Sequence, residues 1–221
     1  MRRRIPAFPL LGLSLFVSLS LSSAQESKVI KLPEPQTEGG LPLMEALKAR
    51  QSSREFDAEK ELPMQVLSDL LWAANGVNRP DGKRTTPSAM NWQNIDIYAV
   101  TARNLYLYDP QQQALKVLLT EDARAATGTQ DFVKQVPLNL VYVADLSKAK
   151  IPKGASPDGA TLMSAAGVGF ISQNVYLYCA SEGLATVVRA SFDKEALGKV
   201  LRLRPDQTIM LAQSVGYPRK R

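Results

Sequence analysis

Residues 162–189 read LMSAAGVGFISQNVYLYCASEGLATVVR, and the architecture turns on them. From Leu162 to about Glu182 no proline interrupts a run of apolar and small residues, which predicts the longest helix of the chain. Gly183 closes it as a C-terminal cap, where a left-handed residue ends a helix. Ala185–Arg189 then reads as a strand. Ser164, Ala165, Ala166, Gly167 and Gly169 leave the helix so little side-chain bulk that another backbone can approach closely. Cys179, the only cysteine, lies in the same apolar pattern and reads as a buried small residue rather than a reactive thiol. Alone it forms no internal disulfide.

Working toward the N-terminus, Ile151–Gly159 reads as a loop, Leu138–Ala144 as a strongly apolar strand and Glu121–Lys134 as a helix. Leu105–Tyr108 and Ala114–Leu119 flank the turn residues Asp109 and Pro110, which predicts a hairpin. Ile95, Ile97 and Ala99 alternate with Asp96, Tyr98 and Val100, the period of a strand. Asn75–Ser88 is loop, with no role assigned to Asn75 or Asn78. Before it, a helix beginning at Pro63 places Val66, Leu67, Leu70, Leu71 and Ala74 on one stripe. A shorter helix runs from Pro42 to about Arg50. Toward the C-terminus follow a helix from Asp193 to about Arg202 and a strand at Thr208–Gly216. Helices and strands alternate over one sheet with a hairpin inserted. The expected class is α+β: a mixed β-sheet sandwiched between helices, in a single domain over 41–221. Residues 25–40, with Pro33, Pro35, Gly39 and Gly40, read as an extended leader.

The start of the chain is of another kind. Arg2, Arg3 and Arg4 precede an almost unbroken apolar run from Leu10 to Leu21, and Ser22, Ser23 and Ala24 supply small residues before Gln25. That is the layout of a secretory signal peptide over 1–24, and the run is shorter than the ~20 residues of a membrane span. The expected location is therefore periplasmic or extracellular, with no membrane contact after cleavage. Whether the arginines belong to a twin-arginine signal stays open. Removing residues 1–24 takes away three arginines and no acid, so the net charge falls from +6 to +3. The basic balance thus gives no reason to expect a nucleic-acid partner.

Composition also limits the chemistry. The chain has no histidine, which excludes histidine triads and histidine metal ligands. One cysteine excludes redox dithiols and thiolate clusters, so no metal site is expected. Neither a Walker A loop nor a Gly-x-Gly-x-x-Gly fingerprint occurs. So sparse a set of side-chain catalysts favours an organic cofactor. Two basic clusters remain, Arg50-Gln51-Ser52-Ser53-Arg54 at a helix end and Arg219-Lys220-Arg221 at the terminus. Arginines interleaved with hydroxyls suit a phosphate, because guanidinium gives bidentate, charge-assisted hydrogen bonds. Read alone, they describe a solvated basic surface more readily.

Together with other segments they carry a resemblance. Arg50–Phe56 (RQSSREF) is similar to the arginine-x-serine-x-basic segment of the FMN-dependent nitroreductase family. Thr86–Gln93 (TPSAMNWQ) resembles its proline–serine loop with following asparagine and glutamine. Gly183–Thr186, ending at Ser191-Phe192-Asp193, resembles its segment after the long helix, and Val215-Gly216-Tyr217-Pro218 its closing strand. The resemblance runs from about Leu43 to Arg221. The hairpin with Tyr106-Leu107-Tyr108-Asp109 is similar to the branch containing peptide-azoline dehydrogenases.

The resemblance implies a nitroreductase-like fold, a homodimer and FMN at the subunit interface. Arg50 and Ser52 would hold the phosphate, joined by Arg219 or Lys220. Gln51 and Arg54 would lie near the ribityl chain and pyrimidine edge. Pro87, Ser88, Ala89 and Asn91 would reach across from the second subunit. The backbone N–H near Ser191 would face flavin N5; Ala190-Ser191 stands where the family often has glutamate–glycine, so a backbone contact is kept and a glutamate side chain is not. Helix or turn capping competes for Ser52 and Ser88, and packing competes with stacking for Trp72 and Trp92. The implied activity is ping-pong transfer of a hydride from a donor such as NAD(P)H to a quinone, nitroaromatic or related acceptor. Secretion leaves room for an extracytoplasmic donor. The alternative is a secreted flavin-binding or interaction protein without reductase turnover.

Overall fold

The computed structural model describes residues 28–151 and 156–220; the signal-peptide reading and Arg221 lie outside them. Seven strands form one sheet: β1 Val29–Lys31, β2 Ile95–Val100, β3 Leu105–Asp109, β4 Ala114–Leu119, β5 Leu138–Asp145, β6 Ala185–Arg189 and β7 Gln207–Gly216. Their spatial order is β1-β4-β3-β2-β5-β7-β6. Every pairing is antiparallel, so the α+β mixture lies in the succession of helices and strands, not in strand direction. Strand β1 falls inside the leader, where Val29 pairs with Lys116 and Lys31 with Ala114.

The helices are α1 Leu43–Ala49, α2 Met64–Asn75, α3 Pro157–Ser181 and α4 Lys194–Val200. Side chains alternate across a strand, and β5 shows the consequence. Its Leu138, Leu140, Tyr142 and Ala144 pack with Leu67, Leu70 and Leu71 of α2 and Val168, Ile171, Val175 and Cys179 of α3. Its Val141 and Val143 join Leu197 of α4 and Leu201 on the opposite face. The sheet is thus covered by helices on both sides, in a single domain.

Three expectations are corrected. Helix α3 begins at Pro157, five residues before Leu162, because the Ser156 side chain accepts the Asp158 N–H at 3.1 Å and caps it. Glu121–Lys134 is not one helix but two short 3-10 turns, Arg124–Thr127 and Asp131–Lys134. Between them Gly128 is extended and lies so close against the Arg189 guanidinium that a Cβ would collide with it. Asn75, expected in a loop, is the buried last residue of α2.

Candidate functional site

Arg50 ends α1, its N–H bonded to the Ala46 carbonyl, and the chain then runs beside β6. The Ser53 N–H donates to the Thr186 carbonyl at 2.9 Å. Ser52 Oγ shares a 2.8 Å hydrogen bond with the Tyr176 hydroxyl, which accepts the Val188 N–H at 3.0 Å. The Arg50 guanidinium stands 5.4 Å from the centre of the same tyrosine ring. A hydroxyl has one donor and two acceptor positions, so the contact with Tyr176 orients Ser52 without exhausting it. Gln51, Ser52 and Arg54 are exposed and Arg50 half-buried.

The tail comes to the same place. The Asp57 N–H donates to the Tyr217 carbonyl at 2.9 Å, and the Arg219 N–H to the Glu55 carbonyl at 3.2 Å. Phe56 and Pro218 sit opposite each other in an antiparallel bridge. The two basic segments, far apart in sequence, are therefore brought together where Arg54 and Arg219 adjoin this bridge. Arg50, Arg54, Arg219 and Lys220 take part in no ion pair among the described residues. Gly216 allows the approach: a Cβ there would meet the Pro137 ring at 2.8 Å.

The loop before β2 is built differently. Ser88 Oγ accepts the Gln93 N–H at 3.1 Å, and Asn91 Oδ1 accepts from Gln93 Nε2 at 3.0 Å. Met90, Asn91 and Gln93 all have left-handed backbone, with φ of 45°, 54° and 49°. Conformations this unfavourable for side-chain-bearing residues persist when surrounding bonds over-determine them. Arg84 Nε donates to Gln93 Oε1 at 2.9 Å and its Nη1 to the Asn75 carbonyl at 3.3 Å. Thr86 Oγ1 donates to Asn75 Oδ1 at 2.7 Å. Burial draws the Arg84 pKa below its usual value. Arg84 and Asn75 were not read as site residues from sequence; Gln93 belongs to the quoted motif.

The loop shares a small cleft with Met163, Gly167 and Ile171 of α3, whereas residues 50–53 lie beside Tyr176. Nine residues of helix separate Gly167 from Tyr176, roughly 13 Å of axial rise. No hydrogen bond joins the two loops among the described residues, so one chain does not bring them together.

After β6, Ala190 and Ser191 are exposed. The Ser191 carbonyl accepts the Thr129 N–H at 3.1 Å, and Asp193 caps α4 by accepting the Glu195 and Ala196 N–H groups. Arg189 is 5% exposed and, like Gly128, was not singled out from sequence. Its signal was a cation ending an otherwise apolar strand. Two buried polar atoms have no partner among the described residues, the Trp92 indole nitrogen and Gln130 Oε1. Both lie in segments bordering the residues just described. Trp92 and Cys179 are buried, and burial pushes the Cys179 thiol up, so it is no nucleophile.

Comparison with known proteins shows the family and the fold. The family model described as "Nitroreductase family" matches residues 47–217. A protein designated a nitroreductase in Methanocaldococcus jannaschii is 28% identical over 186 residues, 79% of this chain and 90% of that protein. A crystal structure designated a nitroreductase from Ralstonia eutropha JMP134 superposes with a TM-score of 0.81 at 40% identity, covering 98% of this chain and all of that one. A Staphylococcus epidermidis structure designated an NAD(P)H:FMN oxidoreductase shares the fold, with a TM-score of 0.62 at 15% identity, over 85% of this chain and 92% of that one. With the family model running from the end of α1 through the proline–serine loop to the closing strand, this chain belongs to the nitroreductase family of flavin-dependent oxidoreductases.

Proposed function

We propose that the protein is an exported FMN-dependent oxidoreductase that works as a homodimer with its flavin held between protomers. Bound FMN would supply a two-electron carrier whose N5 takes a hydride from a reduced donor such as NAD(P)H and yields it, ping-pong fashion, to a quinone, nitroaromatic or related acceptor. The carrying observation is that the chain just after Arg54 pairs with the basic tail at Arg219, while Arg50 and Ser52, a few residues earlier, stand against Tyr176. That donor set fits a phosphate, since guanidinium groups and a hydroxyl offer charge-assisted hydrogen bonds to its oxygens.

Arg50 and Ser52 bind the phosphate, with Arg219 or Lys220 closing over it. Gln51 and Arg54 contact the ribityl chain and pyrimidine edge, where a positive group favours the reduced flavin. From Thr186, beside Ser53, to Ser191 the chain extends about 16 Å. A mononucleotide laid along it would reach the Ala190-Ser191 turn, whose backbone N–H would meet N5. Pro87, Ser88, Ala89 and Asn91 come from the other protomer. The orphaned Trp92 indole nitrogen in that loop supports a further ligand or partner there.

The dimer rests on α3. Leu162, Met163 and Phe170 are 65%, 47% and 48% exposed, on a helix whose other face is already in the core. With Ala165, Ala166 and Gly169 they form an apolar, low-relief face of the kind a second copy covers. Among the described residues no helix is long and apolar enough to cross a membrane; export rests on the N-terminal sequence.

An absorbance spectrum of the mature protein, taken with its mass in solution, tests the reading. Flavin bands on a dimer, bleached by reduced nicotinamide and restored by a quinone, are expected. A colourless monomer that refuses added FMN overturns it, and flavin that never turns over leaves a binding protein instead.

A further inference from the structure

Arg189 is a buried cation with only neutral partners. Its Nε donates to Ser214 Oγ at 3.1 Å, Nη1 to the Thr127 carbonyl at 2.8 Å and Nη2 to Asn139 Oδ1 at 2.8 Å. Ser214 Oγ in turn donates to Asn139 Oδ1 at 2.7 Å, and Asn139 Nδ2 to the Val133 carbonyl at 2.9 Å. No carboxylate lies within 4.0 Å of the guanidinium among the described residues. The Phe132 ring, 6.0 Å away, adds only the negative face of an aromatic. Burying an unpaired charge costs several kcal/mol, and a neutral amide could tie these strands together at less expense. Nevertheless the fold is shaped around the cation. Gly128, with extended backbone just after the Arg124–Thr127 turn, leaves the guanidinium the space that a Cβ would take from it.

The position gives the charge a use. Arg189 ends β6, and Ser191 follows two residues later, its Cα at most about 7.6 Å away. Arg189 holds the Thr127 carbonyl, while the Thr129 N–H holds the Ser191 carbonyl. The guanidinium thus fixes both strands of chain that carry the turn. An uncompensated positive charge favours negative charge gained by a ring seated against that turn, and in a low-dielectric setting its field is weakly screened over the width of the ring.

We infer that Arg189 is a positioning residue that also serves as a built-in cation for the flavin, anchoring the Ala190-Ser191 turn against N5 and, through the field of its unpaired charge, favouring the reduced anionic flavin, whose negative charge lies toward the pyrimidine edge. The inference rests on the flavin reading above and extends it to a residue that need not touch the cofactor.

Two variants of the full mature chain test it. Asn139→Asp places a carboxylate against the guanidinium in nearly the same shape and cancels the charge in place. Arg189→Gln removes the charge and keeps a hydrogen-bonding side chain. The readout is the potential of the bound flavin, measured against a reference dye. In both variants the equilibrium should move against reduced flavin by about tenfold, ~30 mV for two electrons. FMN affinity should change less in Asn139→Asp than in Arg189→Gln. If Asn139→Asp binds FMN with the wild-type potential, Arg189 is a staple of the fold and the inference is overturned. Should Arg189→Gln fail to fold, Asn139→Asp decides alone. Wild-type protein that takes up no FMN sinks the flavin reading, a result separate from an unshifted potential.

Discussion

Arg50 shows how much one side chain is asked to do. It ends α1, lies against Tyr176 and takes part in no ion pair among the described residues. A charge-assisted hydrogen bond is worth roughly 1.5–3 kcal/mol. Arg50→Ala should therefore weaken FMN binding at least ~10-fold in a fluorescence titration, while the half-buried position keeps the loss of fold stability small. An unchanged dissociation constant would remove Arg50 from the phosphate site. Ser88 makes the local turn contact that competed with ligand binding in the sequence reading, to the Gln93 N–H, whereas Ser52 bonds to the Tyr176 hydroxyl, far away in sequence. For a hydroxyl the two roles are compatible, because one bond leaves further positions open.

At the scale of the element, α3 is the informative piece. Ala160, Ser164, Val168, Ile171, Val175 and Cys179 are buried, whereas Leu162, Met163 and Phe170 are exposed. A surface helix of a monomer shows one apolar stripe and a polar one; α3 has apolar residues on both. Phe170→Glu should give a monomer by sedimentation and take flavin binding with it, because the partner's proline–serine loop would be withdrawn. The thermal stability of that monomer should lie close to wild type at low concentration, since an exposed substitution usually changes stability by less than ~0.5 kcal/mol. A dimer that keeps its flavin would show that this face is not the interface. The loop 88–93 belongs to the same scale: three left-handed residues are held by Arg84, Asn75 and Ser88, a rigid rather than an adaptable arm.

For the molecule as a whole, acid stability depends on a few carboxylates. Burial pushes the Asp145 carboxyl up, but the Ser147 hydrogen bond, Arg204 at 2.8 Å and Lys148 at 3.7 Å outweigh it and leave its pKa below the ordinary value. Asp122 is lowered too, first by its hydrogen bond from Arg124. A carboxylate with a depressed folded pKa stabilises the fold above the unfolded value, near 4, and loses that contribution as pH falls through the folded value. Melting temperature should thus hold down to about pH 4 and fall below it. Asp145→Asn should cost about 1–3 kcal/mol at neutral pH and flatten the acid limb. A variant whose pH profile parallels the wild type would exclude Asp145 as a contributor. Since Asp145 ties the end of β5 to Arg204, just before β7, its loss should loosen the far end of the sheet and spare the cationic strip.

Much of this architecture is local and so was legible in the chain. The alternation in Ile95–Val100, the apolar run from Leu138 and the segment Ala185–Arg189 each specify a strand through which side chains face which way. The serine–arginine segment, the proline–serine loop and the basic tail could likewise be picked out one by one. Where partners far away in sequence do the work, local reading failed. Glu121–Lys134 has helical composition, yet Gly128 is drawn straight by the guanidinium of a residue 61 positions on (~61 by numbering). Burial of Arg189 needs acceptors from β5, β7 and a loop, and no stretch of sequence contains them all. By itself, then, the sequence determined the elements and the kinds of group available, because both follow from neighbours a few residues apart. Tertiary structure alone decided that Arg54 and Arg219 share a strip and that a cation lies buried unpaired, because each depends on backbone bonds between segments that meet only when the sheet closes.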